Sequence, residues 1–446
     1  MDANTSKPLL LNLRAMFYLV LPSESSYEKL EQVPNFVDEA FPYFTCMVLL
    51  EAVVLRLQGK DWPRINDGIN SMTHGVLSLL HSLLFRSIEL LIYVWIYDNY
   101  HLIDLPWDSG VTWFVAFVLF DFFYYWFHRF SHESNIIWAS HQVHHSSEDY
   151  NLTTALRQSL MQKYYSMCVY FPMALIVPPS AYYVHQQFNL LYQFWIHTEV
   201  VHSIGPLEYI LNTASHHRVH HGRNPYCIDK NYGGTLIVWD RMFNTFQAEG
   251  EKVIYGLVHP NQFWDPLYGQ FHHYLYILGL VRKYDSASDR VSAVVKGPGW
   301  EPGKPWRGLT EDLPEVEHPV RKYDKDIPTW ASLYVVLHFA LVLGGYSALA
   351  PHKEHLSAAT SLGCVAFIIF SLTSFGALFD HKRWSCAAEC LRCAIVVGLL
   401  LYVRGPIEFE PTLVSGTFVF FLLSAILWGV LTVLQYKFYV VTKKVD

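Results

Sequence analysis

Nine stretches of this 446-residue chain are apolar over lengths that can cross a bilayer: near 42–58, 73–97, 112–127, 164–180, 185–204, 328–350, 359–379, 385–403 and 411–438. A transmembrane helix needs about 20 mostly apolar residues, so the pattern predicts an all-α, polytopic membrane helix bundle of about nine spans. Composition agrees, with 52% hydrophobic and only 16% charged residues. The net charge of −7 is spread along the chain without a basic stripe, which excludes nucleic acid as a partner. The seven cysteines form no disulfide framework, as expected of thiols facing lipid or cytosol. Cys386, Cys390 and Cys393 stand at helical spacing inside an apolar run and read as small hydrophobes. No basic region followed by an apolar core and a cleavage site opens the sequence, so no removable signal peptide is expected.

Lysine and arginine orient the spans. The loop after the first span carries Lys60 and Arg64, and 98–111 carries neither. Residue 112 is therefore placed on the lumenal side and His128, ending the third span, at the cytosolic face. Two further spans form a hairpin turning at Pro178-Pro179-Ser180, which returns the chain to the cytosol before His217. Residues 281–327 are hydrophilic with charges of both signs and read as a cytosolic linker. Four more spans leave the C-terminus cytosolic, with Lys382 and Arg383 on the intervening turn. Lys443 and Lys444 then have the spacing of a dilysine endoplasmic-reticulum retrieval signal, set against an ordinary basic flank. The division is 1–110 N-terminal spans, 111–280 a histidine-box module, 281–327 linker and 328–446 four-span bundle. In this orientation the sequon Asn151-Leu152-Thr153 stays unmodified.

Eight histidines in three boxes carry the chemistry. His128 and His132 form H-x-x-x-H; His141, His144 and His145 form H-x-x-H-H; His217, His220 and His221 repeat it. Offsets of three and four share a helix face, so each box aims its imidazoles at one point. With 23 histidines in the chain, one H-x-x-H-H by chance has odds of roughly 0.06, and two copies beside a third box point to metal. Imidazole suits Fe, Zn, Cu and Ni alike. Zinc takes three or four ligands and haem one or two axial histidines, so eight histidines suit two metals with open positions. Two irons at the membrane face, activating oxygen, is the economical reading. A histidine-lined metal transporter is the rival from another class, but transporter sites lie near the bilayer midplane, whereas these boxes follow the ends of spans.

The boxes resemble those of the fatty acid hydroxylase/sterol desaturase superfamily of membrane di-iron oxygenases. The likeness covers roughly 110–250, including Asn231-Tyr232-Gly233 and Trp239-Asp240-Arg241-Met242-Phe243 behind the third box. The long bundle after 328 resembles the members that cleave glyceryl ethers rather than the shorter sterol and acyl-chain enzymes. That resemblance implies two Fe ions per chain and tetrahydrobiopterin as reductant. It also implies O2 as co-substrate and an ether lipid drawn from the bilayer of the endoplasmic reticulum. The carbon beside the ether oxygen would be hydroxylated, and the hemiacetal would collapse to a fatty aldehyde and a glycerol derivative. A fatty aldehyde dehydrogenase would then be a functional neighbour. The alternative within the superfamily is a sterol or fatty-acyl hydroxylase or desaturase fed by cytochrome b5.

The family also has a histidine pair upstream of its third box, a region occupied here by His197 and His202, while His216 reads as a neighbour. Ligating histidines donate their second N–H to a carboxylate or carbonyl. Asp121, a charge inside an apolar span, is one supporting candidate. Glu133, Asp149, Asn231 and Asp240 are the others, with solvated surface the plainer reading for Glu133, Glu148 and Asp149. Arg86 and Glu89 are expected to neutralise each other, and the aromatic run Phe122 to Phe127 to face lipid, pack the core or line a tail channel.

Overall fold

The computed structural model describes residues 6–80, 88–316, 318–325, 327–404 and 413–434. They fall into two compact units, one drawn from 1–78, 85–261 and 270–321, the other from 79–84, 262–269 and 322–446. Both are helical: among the described residues there are no strands, only two isolated bridges, Leu211 with Leu236 and Gly222 with Tyr255. Arg86 and the Lys443-Lys444 pair lie outside the described residues.

The first unit contains α1 (Ser6–Ala15), α2 (Phe36–Leu57), α3 (Ile65–Leu79), α4 (Ile88–Tyr100), α5 (Gly110–Glu133), α6 (Asn135–His145), α7 (Gln162–Tyr170), α8 (Pro179–Ile196) and α9 (Ala214–His220). After these come α10 (Pro266–Lys283), whose first residues group with the second unit, and α11 (Ala287–Val295). Helix α5 is the axis on which the others are hung. Trp113 on it packs with Phe36, Phe188 and Leu191 in one core. Ala116 and Phe120 pack with Tyr93, Tyr170 and Tyr182 in another. Further along, Phe122, Tyr125 and Trp126 meet Phe243, and Phe122 also meets Trp239, so these members of the aromatic run pack the protein interior. With both sides held, the C-terminal end of α5 is a fixed platform for His128 and His132.

Six helices among the described residues are long and apolar enough to cross a membrane, against the nine spans expected: Leu30–Leu57, Gly110–Glu133, Thr329–Lys353, Ala358–Phe379, Ser385–Val403 and Leu413–Val433. The stretches at 164–180 and 185–204 are not among them. Helix α7 gives way after Tyr170 to a 3-10 turn, Phe171–Leu175, where Pro172 has no N–H for the helical ladder. Helix α8 carries His185, Gln186, Gln187, Asn189 and Gln193, which lower its mean hydropathy, and His185, Gln187 and Asn189 are buried within the protein. The 73–97 stretch is interrupted by residues outside the description. Glu89 is occupied by Tyr182 and Gln186, whose hydroxyl and amide reach its Oε1 at 2.5 and 2.6 Å.

The first part of the expected linker is folded. The Asn135 amide donates to the Lys296 carbonyl at 2.7 Å, and the Trp306 indole to the Glu133 carbonyl at 2.6 Å, which fastens the segment to the α5–α6 junction.

The second unit contains α12 (Thr329–Leu349), α13 (Ala358–Phe379), α14 (Ser385–Arg404) and α15 (Leu413–Val433). Inside it Arg392 is fully buried against Glu389 at 2.7 Å. Tyr334 on α12 donates to the same carboxylate at 2.7 Å, and His338 faces the Ser424 hydroxyl of α15 at 3.2 Å. An ion pair bonded across helices to Tyr334 and His338 fixes their register, whereas an uncompensated buried charge would be costly.

Asn151 of the sequon is buried and caps a short helical turn, Leu152–Ala155, its side chain accepting from the Thr153 amide at 3.0 Å and the Thr153 hydroxyl at 2.6 Å. Asn151→Ala should therefore lower the Tm of the detergent-solubilised protein, a lost N-cap costing about 1 kcal/mol. Glycosidase treatment should leave the gel mobility of the native chain unchanged; a glycan on Asn151 would contradict the burial.

Candidate metal centre

Four helices end at one place. His128 and His132 lie on the last turns of α5, His141, His144 and His145 on the last turns of α6, and His197 directly follows α8. His217 and His220 end α9, with His221 as its cap. All nine imidazoles are buried and divide into two groups, His128, His132, His141, His145 and His220 in one, His144, His197, His217 and His221 in the other. Within each group the ligand atoms lie within 4.8 Å of one another. Each H-x-x-H-H box is shared. The second box gives its i,i+4 pair to the first group and its middle histidine to the second, and the third box does the reverse.

The hydrogen bonds fix the tautomers. Nδ1 of His128 faces the Tyr232 carbonyl at 2.8 Å, Nδ1 of His144 the Arg157 carbonyl at 2.9 Å, Nδ1 of His197 the Gln193 carbonyl at 2.6 Å and Nδ1 of His220 the Lys230 carbonyl at 2.9 Å. A carbonyl only accepts, so each Nδ1 holds the proton and each neutral ring turns a bare Nε2 inward. Yet His144 Nε2 and His197 Nε2 stand 3.2 Å apart. No hydrogen is available between them, and two facing lone pairs repel unless a cation lies in their path. His141 is set the same way by the Gln162 amide oxygen at 3.2 Å, and its Nε2 meets that of His128 at 3.0 Å and that of His145 at 3.1 Å. His197 Nε2 also meets His217 Nε2 at 3.0 Å and His221 Nε2 at 3.2 Å. Separations near 3 Å are those of adjacent nitrogens around a metal at about 2.1 Å.

Electrostatics keep the rings ready. Burial first, and then repulsion among the imidazoles, holds His141, His145, His217 and His221 well below the ordinary histidine range. Burial brings His144 down to about 4. Neutral imidazole is the ligating form. Nine such donors in two groups fit two transition-metal ions; they exceed what one zinc takes.

The same arrangement has relatives. A fatty acid hydroxylase family model matches residues 113–245, which hold all nine clustered histidines, and a model of the alkylglycerol monooxygenase C-terminal domain matches 331–416. Alkylglycerol monooxygenase of Homo sapiens is 50% identical over 95% of this chain and 95% of its own. The enzyme of that name from Danio rerio is 48% identical over the same shares, and that from Caenorhabditis elegans 37% over 93% of this chain and 85% of its own. The chain belongs to the alkylglycerol monooxygenase family. It is an oxygenase built into a multi-pass membrane protein, and its buried histidine groups are a metal site of the fatty acid hydroxylase type. No solved structure matches it.

Of the ten histidines expected at the metals in this member of the alkylglycerol monooxygenase family, nine are brought together and His202 is not. Its side chain is exposed, and its carbonyl accepts from Arg218 at 3.0 Å. His216 is buried against Phe246, outside both groups. The expected carboxylates act at one remove. Asp121 receives the Thr235 and Leu236 amides at 2.7 and 3.0 Å and the Trp239 indole at 2.9 Å, holding the loop behind the third box onto α5. The approach is close enough that a Cβ on Gly234 would lie 2.9 Å from the Asp121 carboxylate. Asp240 receives the Tyr232 and Gly233 amides at 2.8 and 2.7 Å, and so steadies the Tyr232 carbonyl that fixes His128. Asn231, at φ 56°, ties His216 to Gln247 through its amide. Glu133 pairs with Arg129 at 3.0 Å and Asp149 with Arg64 at 3.0 Å.

Sequence reading missed the four carbonyls, which have no side-chain signature, and Gln162. It also missed Asp229, whose carboxylate lies 3.8 Å from His132 Nδ1 and 3.4 Å from Arg307. An apolar groove of about 790 Å³ along Val111, Phe114 and Val118 is a separate feature. Phe114 precedes His128 by a helical rise of roughly 20 Å.

Removing a clustered histidine should cost metal, and removing His202 should not. Elemental analysis of purified His197→Ala should give less than the wild-type metal content, with oxygenase activity lost. His202→Ala should match wild type in both. Equal losses in the two variants would contradict the ligand assignment.

Proposed function

We propose that this chain is a di-iron monooxygenase of the endoplasmic-reticulum membrane that cleaves the ether bond of alkylglycerols or lyso-ether lipids, using tetrahydrobiopterin and O2. The observation that carries the reading is the set of bare Nε2 atoms facing one another in two buried groups. Likeness to the alkylglycerol monooxygenases along nearly the whole chain, C-terminal domain included, supports the substrate class.

His128, His132, His141, His145 and His220 would hold one iron, and His144, His197, His217 and His221 the other. Iron bound there supplies the activation of O2. One oxygen atom enters the C–H bond beside the ether oxygen, and the other leaves as water with two electrons and two protons from the pterin. The resulting hemiacetal breaks its C–O bond to give a fatty aldehyde and a glycerol hydroxyl. The chain's own contribution is to position and to shield: the carbonyls of Tyr232, Arg157, Gln193 and Lys230 hold four rings in one tautomer, and burial keeps the imidazoles from bulk water. The aldehyde is reactive, which makes a fatty aldehyde dehydrogenase the natural next enzyme. The boxes and C-terminus are assigned to the cytosolic side, where a soluble pterin has access.

Membranes containing the chain should release fatty aldehyde from a 1-O-alkylglycerol only when tetrahydrobiopterin and O2 are both present, and an iron chelator should stop the reaction. Equal turnover with NADPH and cytochrome b5 in pterin-free membranes would contradict the reductant. Oxidation of a sterol or acyl chain, with the ether untouched, would contradict the substrate.

A further inference from the structure

Helix α3 lies outside the 113–245 match, yet it reaches the histidines through one residue. Arg157 is 2% exposed and acts with both its main chain and its side chain. Its carbonyl accepts from His144 Nδ1 at 2.9 Å. Its guanidinium donates to Ser146, just past the second box, at 2.9 Å, to Ser71 of α3 at 3.0 Å and to the Asp67 carboxylate of α3 at 2.9 Å. Asp67 is 1% exposed, and its other oxygen accepts from the Ser147 hydroxyl. Helix and loop can meet this closely because residue 75 is glycine: a Cβ there would stand 2.5 Å from the Leu156 carbonyl. Gln270 closes the far side, its amide near His74 at 2.9 Å and its oxygen accepting from the Leu160 amide at 3.0 Å.

A guanidinium buried beside a cation-binding group has two effects. Its hydrogen bonds hold the end of the box, and its charge opposes the metal. An opposite charge in contact cancels the second effect and keeps the first. The neighbouring Arg64 is balanced separately by Asp149.

We propose that Asp67 is a positioning residue for the second histidine group, holding Arg157 so that its carbonyl fixes His144 and cancelling the buried positive charge beside the metal. This rests on the two-iron reading above. The test is iron per chain, with 57Fe Mössbauer spectra, for wild type, Asp67→Asn, Asp67→Glu and the double variant Asp67→Asn/Arg157→Gln, each dialysed against graded ferrous iron. Asp67→Asn should keep the iron of the first group and bind the other about 10- to 100-fold more weakly, the usual loss on removing an outer partner. Asp67→Glu should restore much of it. The double variant buries neither charge, so its second iron should bind more tightly than in Asp67→Asn and more weakly than in wild type. A merely structural role predicts the reverse order, because the double change removes more bonds. If Asp67→Asn does not accumulate as folded protein, the double variant carries the test, and its loss should fall on the second group alone. Wild-type affinity in Asp67→Asn, a double variant equal to wild type or weaker than the single one, or equal loss at both groups would overturn the proposal alone. A wild-type chain that takes up no iron would overturn the metal reading and this proposal with it.

Discussion

Between His144 and His197 two nitrogens face each other at 3.2 Å, and backbone carbonyls have already claimed the protons of both rings. Unscreened, that contact is repulsive, and it recurs between His128 and His141. Most of the first unit can be understood as the means of holding these contacts in place. Each Nδ1–carbonyl bond stops a ring from turning over and relieving the repulsion. Burial removes the other escape, since a protonated imidazole would have to be kept out of water. The helices contribute a field as well. All four point their carbonyl ends at the groups, and the negative end of a helix dipole favours a cation. An ion bound among these nitrogens would relieve that repulsion.

The box histidines were legible in the sequence because the helix repeat brings offsets of three and four together. What the same repeat does not say is how a box divides. At about 100° per residue, His141 and His145 differ by 40° and His144 stands to their other side. A second group placed off the helix axis can therefore take the middle histidine. His197 was reachable only through family likeness, since its place depends on where α8 stops. His202 was drawn in by the same likeness, but five residues of non-helical chain carry it to the surface. The supporting acids were found as residues and misjudged in their contacts. Asp121 and Asp240 bind amides of the 232–239 loop, and the loop's carbonyl does the work on His128. Any residue can supply a carbonyl, so composition is silent there.

The helical class was legible, and of the nine spans expected six are matched among the described residues by helices long and apolar enough to cross a membrane. Apolar averages over 164–204 hide a short helix, a proline turn and a helix with a glutamine- and histidine-bearing face. The four helices of the C-terminal unit were plainer: strongly apolar runs of the right length leave little else to form. What those runs concealed is the Glu389–Arg392 pair and its partners Tyr334 and His338, a polar centre in an otherwise apolar bundle. Glu389 and Arg392 are only three residues apart, but their bonds to Tyr334 and His338, like that of Asp67 with Arg157, join distant parts of the chain and have no local pattern to betray them.

In the function proposed above, nine histidines, split five and four, hold two iron ions. Diffraction from the iron-loaded protein, with anomalous data collected on both sides of the iron edge, addresses it directly. Two anomalous peaks are expected, one among His128, His132, His141, His145 and His220, the other among His144, His197, His217 and His221. A single peak shared by both groups, peaks at other residues, or no iron signal at either group would contradict the account.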